Sequence, residues 1–275
     1  MHCWVSEKPD KKDNSVMHHS DISRIQSYIR KNKRSDRKGL AISPFTLFLH
    51  PTKTDVGDNF GIPDIPIEGT LRAGFGQLHD LFQTHQRQPC FQYMDSFSPG
   101  LASELQANGY QKIKSKPILV CTPESHLHPP KVPNLEIVTL SEHSSIEDVM
   151  EGMDANALGF DMDASLATEK QAQEFRRELL SDCRAFTARL GPQAVGAGMY
   201  NPMHDHVTML TGIATLEPFR RKGIASHLTA FASQIAFDQG AEILFLLANS
   251  VKAGRVYERA GFRTMGSVVT YTLSI

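Results

Sequence analysis

The chain has 275 residues, enough for two domains that each bury a core of their own. Hydrophobic residues make up 40% and charged residues 21%, and its 19 Gly and 15 Pro follow no period, which excludes disordered, collagen-like and coiled-coil chains. Twenty-nine basic residues against 30 acidic ones leave a net charge of −1, too balanced for nucleic-acid binding driven by overall charge. That balance is a sum of unlike parts. Residues 1–40 carry 10 basic and 5 acidic groups, 41–133 carry 7 and 8, and 134–275 carry 12 and 17.

In chain order, residues 1–40 are polar, and only Ile22, Ile25, Tyr28 and Ile29 repeat at helical spacing, which predicts one amphipathic helix followed by a basic run over 30–38. No apolar stretch approaches the ~18 residues of a membrane helix, and 1–20 lacks the apolar core of a signal peptide, so a cytoplasmic protein without membrane association is expected. Residues 41–49 then read as a strand. Leu71, Phe75, Leu78 and Phe82 mark a helix, 90–94 a short strand, 101–108 a helix closing at Gly109, and 113–121 another strand. The Pro-rich segment 122–133 can continue neither element and reads as a linker.

Beyond it, 135–140 reads as a strand, 146–158 and 168–182 as helices, and 184–190, 193–199 and 207–215 as a meander. Ile224, Leu228, Phe231 and Ile235 form one helix face that ends at Gly240, and the apolar run 243–248 suits a strand buried on both faces. A helix through Tyr257 and a last strand over 262–273 complete the chain. Cys3, Cys90, Cys121 and Cys183 lie far apart with no C-x-x-C pair, which supports neither a disulfide framework nor a zinc site. Nor does the His204-Asp205-His206 triplet, with no third ligand in view, predict a metal centre.

The sharpest local signal is Arg220-Arg221-Lys222-Gly223-Ile224-Ala225, between the strand ending at Thr215 and the next helix. A strand-to-helix turn leaves the first helical N–H groups unpaired, glycine admits an anion close to the backbone, and the helix dipole favours negative charge. Three consecutive cations in an otherwise acidic half fit a phosphate-rich ligand. This run resembles the Q/R-x-x-G-x-G/A signature of the GNAT superfamily of acetyl-coenzyme A-dependent N-acetyltransferases. The likeness extends through the buried strand at 243–248 to Tyr257-Glu258-Arg259-Ala260-Gly261-Phe262, similar to the family's Tyr-x-x-x-Gly-Phe ending, and covers about residues 134–275.

The resemblance implies an α/β (α+β) GNAT fold, a mixed, mostly antiparallel central sheet flanked by helices, and an N-acetyltransferase that uses acetyl-CoA and no metal. It implies that Ile213, Ala214 and Thr215 offer main-chain groups to the pantetheine arm. Arg220, Arg221, Lys222, Gly223, Ile224, Ala225 and Ser226 would cradle the pyrophosphate. Tyr257 matches the usual general acid, a role that suits a phenol: the expelled thiolate has a conjugate acid of pKa ~8.5, and a phenol of pKa ~10 can supply the proton. Where the family commonly has an Asn seven residues before that Tyr, this chain has Ser250, with Asn249 one place earlier, so both are candidates for the cofactor contact. Glu217, Asp205 and His206 lie near the ends of the central strand and are weak candidates for the base. An acyl role for Cys183 has little support.

Residues 89–121 run strand, helix, Asn108-Gly109-Tyr110, strand, parallel to the C-terminal ending, but Leu105 stands where that half has Tyr257, and Glu68-Gly69-Thr70-Leu71 offers an acid instead of cations. A tandem arrangement follows: 1–125 a degenerate GNAT-like domain with a basic leader, 126–133 the linker, 134–275 the acetyltransferase domain. An unrelated cap domain is the alternative for the N-terminal half. Between 135 and 183 twelve acids face three basic residues, so the expected acceptor is a small-molecule or peptide amine carrying positive charge. A module that binds acyl-CoA without chemistry is the competing reading, against which Tyr257 argues.

Overall fold

The computed structural model describes residues 19–32, 37–67, 72–180 and 183–273. Expectations for Cys3, for Glu68-Gly69-Thr70-Leu71 and for Asp182 lie outside the described residues. The first part of the chain contributes α1 (His19–Asn32), β1 (Lys38–Ile42), β2 (Phe45–Leu49), β3 (Phe60–Pro63), α2 (Arg72–Thr84), β4 (Cys90–Met94), α3 (Leu101–Ala107) and β5 (Tyr110–Cys121). The second contributes β6 (Leu135–Leu140), α4 (Ile146–Phe160), α5 (Glu169–Glu178), β7 (Arg184–Leu190), β8 (Gln193–Tyr200) and β9 (Val207–Thr215). It closes with α6 (Ile224–Asp238), β10 (Ile243–Leu247), α7 (Val251–Glu258) and β11 (Arg263–Leu273).

These strands form one 11-stranded sheet in the order β1-β2-β3-β4-β11-β5-β10-β9-β8-β7-β6. It is mixed and mostly antiparallel: β3 with β4 and β9 with β10 are its parallel neighbours. β4-α3-β5 and β10-α7-β11 repeat the same order, and their last strands cross over. β5 pairs with β10, β11 pairs with β4, and β5 and β11 pair with each other. Neither half therefore carries a complete sheet without a strand from the other.

Two local readings differ from expectation. The stretch 41–49 is a hairpin, Ile42 facing Phe45, because Pro44 at its centre has no N–H to give a ladder. β3 was not expected; four fully buried residues between polar turns are too short to show a period. Elsewhere the apolar patterns land where their spacing put them. Ile25, Tyr28 and Ile29 of α1 are buried with Phe245, Ile243 and Val207, so this N-terminal helix packs on the C-terminal strands. Tyr28 Oη donates to Pro202 O at 3.0 Å, and Arg24 reaches Glu242 at 2.7 Å and Asp205 O at 2.8 Å.

The linker is clamped to the C-terminal half. Leu127 N–H donates to Ala260 O at 3.2 Å, and His126 Nε2 lies 3.1 Å from Ala230 O. Beneath it Gly261 adopts φ +94°, and a Cβ there would overlap Ser125 O and sit 2.8 Å from Leu127 N. Gly261→Ala is expected to cost more than ~2 kcal/mol, from a left-handed backbone penalty of ~1–2 kcal/mol plus displacement of the linker. Chemical denaturation of the two proteins reads this directly.

Candidate active site

The site is built where β9 and β10 part. They pair over Val207–Met209 against Ile243–Phe245 and then separate: β10 runs on to Leu247 along β5, and β9 continues to Thr215 with no strand on that edge among the described residues. Gly212, at φ +66°, forms a bulge against β8, and Asn156 of α4 donates to its carbonyl. Two close approaches fix the open end. A Cβ on Gly159 would lie 2.7 Å from Ala214 Cβ and 3.2 Å from Thr215 N, and one on Gly196 would lie 2.7 Å from Ala214 O. Glycine at these places lets α4 and β8 close on Ala214 and Thr215 from opposite sides, so Ile213, Ala214 and Thr215 present a rigid open edge.

From Thr215 the chain turns through a short 3₁₀ segment, Glu217–Phe219, into α6. Backbone bonding stops at Arg220 N–H, which donates to Glu217 O at 3.1 Å, and resumes with His227 N–H to Gly223 O at 3.0 Å. The N–H groups of Ile224, Ala225 and Ser226 therefore lie outside the helical ladder. Arg221 and Gly223 have φ of +66° and +84°. Left-handed backbone at two residues of one turn, ahead of a positive helix end, is an arrangement that suits an anion. Val132 of the linker passes over it, 3.5 Å from where a Gly223 Cβ would be.

The residues of this motif divide by what their side chains do. Arg220, though exposed like its two neighbours, is engaged with the backbone: its Nε donates to Thr215 O at 3.1 Å and its Nη2 to Gly159 O at 2.9 Å, tying the end of β9 to the end of α4. Arg221 and Lys222 are exposed, with Lys222 Nζ 5.0 Å from the centre of the Phe219 ring. Ile224 is buried in the core, and Ser226 Oγ donates to Val256 O at 2.9 Å, linking the first turn of α6 to α7. The linker also brings Lys131 and His128 near His227; burial, then these two neighbours, hold the His227 pKa below its usual value.

On α7, Ser250 caps the helix, its Oγ accepting Ala253 N–H at 3.2 Å. Asn249, exposed, makes no side-chain hydrogen bond among the described residues. Tyr257 is half-buried, its ring 6.3 Å from that of Phe262 at 61°, and its hydroxyl has no hydrogen-bond partner among the described residues. Burial holds its phenol above the ordinary value near 10.

Other candidates lie elsewhere. Asp205 and His206 precede Val207, roughly 25–30 Å along β9 from Thr215 at ~3.3 Å per residue. There His206 Nδ1 lies 2.9 Å from Gly240 O and Asp205 pairs with Arg24 at 3.8 Å, which rules both out as the base. The His204 ring packs against Tyr28, and among the described residues there is no cluster of three metal-ligating side chains. Glu217 is exposed. Cys183 is buried, its thiol pushed up to about 11 by desolvation, which argues against an acyl-carrying thiolate. Sequence reasoning missed Asn156, Gly159 and Gly212, whose roles exist only once α4 lies on β9.

Among known proteins, the sequence model of the Acetyltransferase (GNAT) family matches residues 154–262, from the middle of α4 to the start of β11. No curated protein matches the chain. In fold it is similar to a GCN5-related N-acetyltransferase from Kribbella flavida, TM-score 0.71 at 21% identity, covering 92% of this chain and 96% of that one. A tandem GNAT protein from the clavulanic acid biosynthesis pathway gives a TM-score of 0.60 at 14% identity, with 83% and 77% covered. A GCN5-related N-acetyltransferase from Sphaerobacter thermophilus gives 0.57 at 13%, with 90% and 84% covered. Residues 154–262 thus match the GNAT acetyltransferase family, and the fold of GCN5-related N-acetyltransferases extends over most of the chain.

Proposed function

We propose that the C-terminal half moves an acetyl group from acetyl-CoA to a primary amine by direct attack, with Tyr257 as general acid. One observation supports this reading most strongly. Ser226 Oγ ties α7 to the first turn of α6, so the helix that carries the half-buried Tyr257 is fixed to the turn that would grip the cosubstrate. The open edge at Ile213, Ala214 and Thr215 suits the pantetheine amides, as an added strand would. The free N–H groups at Ile224, Ala225 and Ser226, with Gly223 and the exposed Arg221 and Lys222, suit the pyrophosphate. Arg220 acts behind them, fixing the edge.

Acetyl-CoA supplies an activated thioester carbonyl. The amine nitrogen bonds to that carbon, the carbon–sulfur bond breaks, the Tyr257 proton goes to the leaving sulfur, and the nitrogen gives its own proton to solvent. Because Tyr257 is held above its ordinary pKa it stays neutral while the amine loses its proton, so activity falls on the alkaline side only as pH rises through a value above 10.

Asn249 is the better partner for the cosubstrate, since Ser250 Oγ is already used as a helix cap. Asn249→Ala is expected to raise the KM for acetyl-CoA several-fold with stability unchanged. Ser250→Ala should instead lower stability by ~1 kcal/mol. Steady-state kinetics and denaturation of the same two variants separate these outcomes.

For the acceptor, the acids of α4 and α5 are partly spent: Asp148 and Glu151 hold Arg189, and Asp154 Oδ1 accepts Ala167 N–H at 2.7 Å. Asp161 and Asp163 remain in the loop after Gly159, among the exposed Phe160, Met162 and Leu166. This supports a cationic amine with an apolar body. Rates with polyamine, aminoglycoside and amino-acid acceptors should favour the cations and lose that preference in high salt; equal rates at both salts would remove the idea.

The N-terminal half is read as a degenerate repeat, with the boundaries 1–125, 126–133 and 134–275. Supporting this, Leu105 on α3 occupies the place of Tyr257 on α7 and is fully buried, with no proton to give. A cytoplasmic location belongs to the same reading. Among the described residues no helix is long and apolar enough to cross a membrane.

A further inference from the structure

A cavity of about 380 Å³ opens between α3 and the crossed strands β4, β5 and β11, away from the acetyl-transfer site. Its volume lies within the ~300–1,000 Å³ of small-molecule sites. Its polar lining is Tyr93, Asp95, Ser96, Lys112 and Tyr271, and Ala102 and Val269 add an apolar flank. Two of the lining hydroxyls, Tyr93 Oη and Ser96 Oγ, are buried with no hydrogen-bond partner among the described residues, and Tyr93 is fully buried as a residue. Such groups cost stability unless something meets them. The fold does not require them: at the matching strand position, fourth in β10, stands the buried Leu246, and Ala248 stands where this half has Asp95.

Of the two charged groups, Asp95 is half-buried and Lys112 is exposed. Asp95 is held by its backbone, whose N–H donates to Ser267 O at 2.9 Å, and by Oδ1, which accepts Ser267 N–H at 2.8 Å. Its Oδ2 makes no hydrogen bond among the described residues, and neither does the ammonium of Lys112 or the hydroxyl of Tyr271. Lys112 faces Tyr271 across the β5/β11 ladder, and the Tyr93 and Tyr271 rings stack at 6.3 Å. One carboxylate, one ammonium and three hydroxyls therefore line one cavity, with too few carboxylates for a metal ion.

We propose that this cavity binds a small zwitterion of the free amino-acid class, its carboxylate on Lys112 and the tyrosine hydroxyls and its ammonium on Asp95. Three strands and a helix meet at the site, and β11 leads back to Phe262 and α7, so the ligand would brace the crossing of the two halves.

Calorimetric titration and thermal unfolding of the full chain with the free L-amino acids test this, with ethylamine and acetate as probes carrying only one of the two charges. At least one amino acid should raise the unfolding midpoint by about 3 °C or more at millimolar concentration, and the single-charge probes should not. Asp95→Asn, which keeps the Ser267 bond, and Lys112→Met should each weaken that ligand at least tenfold. Tyr93→Phe should weaken it too, while leaving the unliganded midpoint unchanged or higher. The proposal is overturned if no amino acid binds, if binding survives both charge variants, or if Tyr93→Phe lowers the unliganded midpoint by several degrees.

Discussion

Replacing Tyr257 with phenylalanine is expected to lower kcat by ~10²–10⁴-fold, the usual loss when a positioned general acid is removed, with acetyl-CoA affinity nearly unchanged. The reasoning is local. Tyr257 lies half-buried on α7, its hydroxyl free of partners, and α7 is fixed independently by the Ser250 cap, the Ser226–Val256 hydrogen bond and the Phe262 N–H to Tyr257 O bond at 3.2 Å. The substitution deletes one oxygen and leaves this scaffold in place. The alkaline limb above pH 10 should vanish in the variant, because the group that titrates there is gone. A variant with wild-type kcat would show that the leaving thiolate is protonated by water or by another group.

Gly223→Glu is expected to weaken acetyl-CoA by ~100-fold or more. Gly223 sits at φ +84° at the start of α6, where any L-residue costs ~1–2 kcal/mol and drags the turn from its shape. The added carboxylate would stand where the free N–H groups of α6 and the exposed Arg221 and Lys222 meet an anion, reversing the local field. Gly223→Ala, which adds strain without charge, should fall between the two. Equilibrium binding of acetyl-CoA to the three proteins gives the order, and stability measured alongside separates lost affinity from lost fold. Undiminished binding by Gly223→Glu would move the pyrophosphate elsewhere.

Much of this site is local in sequence and was legible there. The run Arg220 to Ala225 lies between a strand and a helix whose periods are both clear, and Tyr257 follows a capped helix start, so neither depended on knowing the tertiary fold. What sequence hid is what only packing creates. Arg220 reads as a phosphate ligand by composition, yet its side chain bonds Thr215 O and Gly159 O, because Gly159 brings the end of α4 within reach. Asn249 and Ser250 could not be separated until Ser250 was found capping α7. The crossing of β5 and β11 joins residues some 150 positions apart, such as Val269 and Ser115, and no periodicity encodes that partnership. It also changes how the halves relate. They read as separate domains along the chain, but in space each completes the other's sheet, so the linker over Gly261 and helix α1 over β10 belong to one packed unit.

The central claim, that this cradle serves chemistry and not binding alone, is tested most directly by thiol release. Purified full-length protein is mixed with acetyl-CoA and a panel of cationic and neutral amines near pH 8, and free CoA is followed with a thiol reagent. Acceptor-dependent release of CoA, lost with Tyr257→Phe, is the predicted result. Acetyl-CoA that binds to the protein but yields no free thiol with any amine would contradict it.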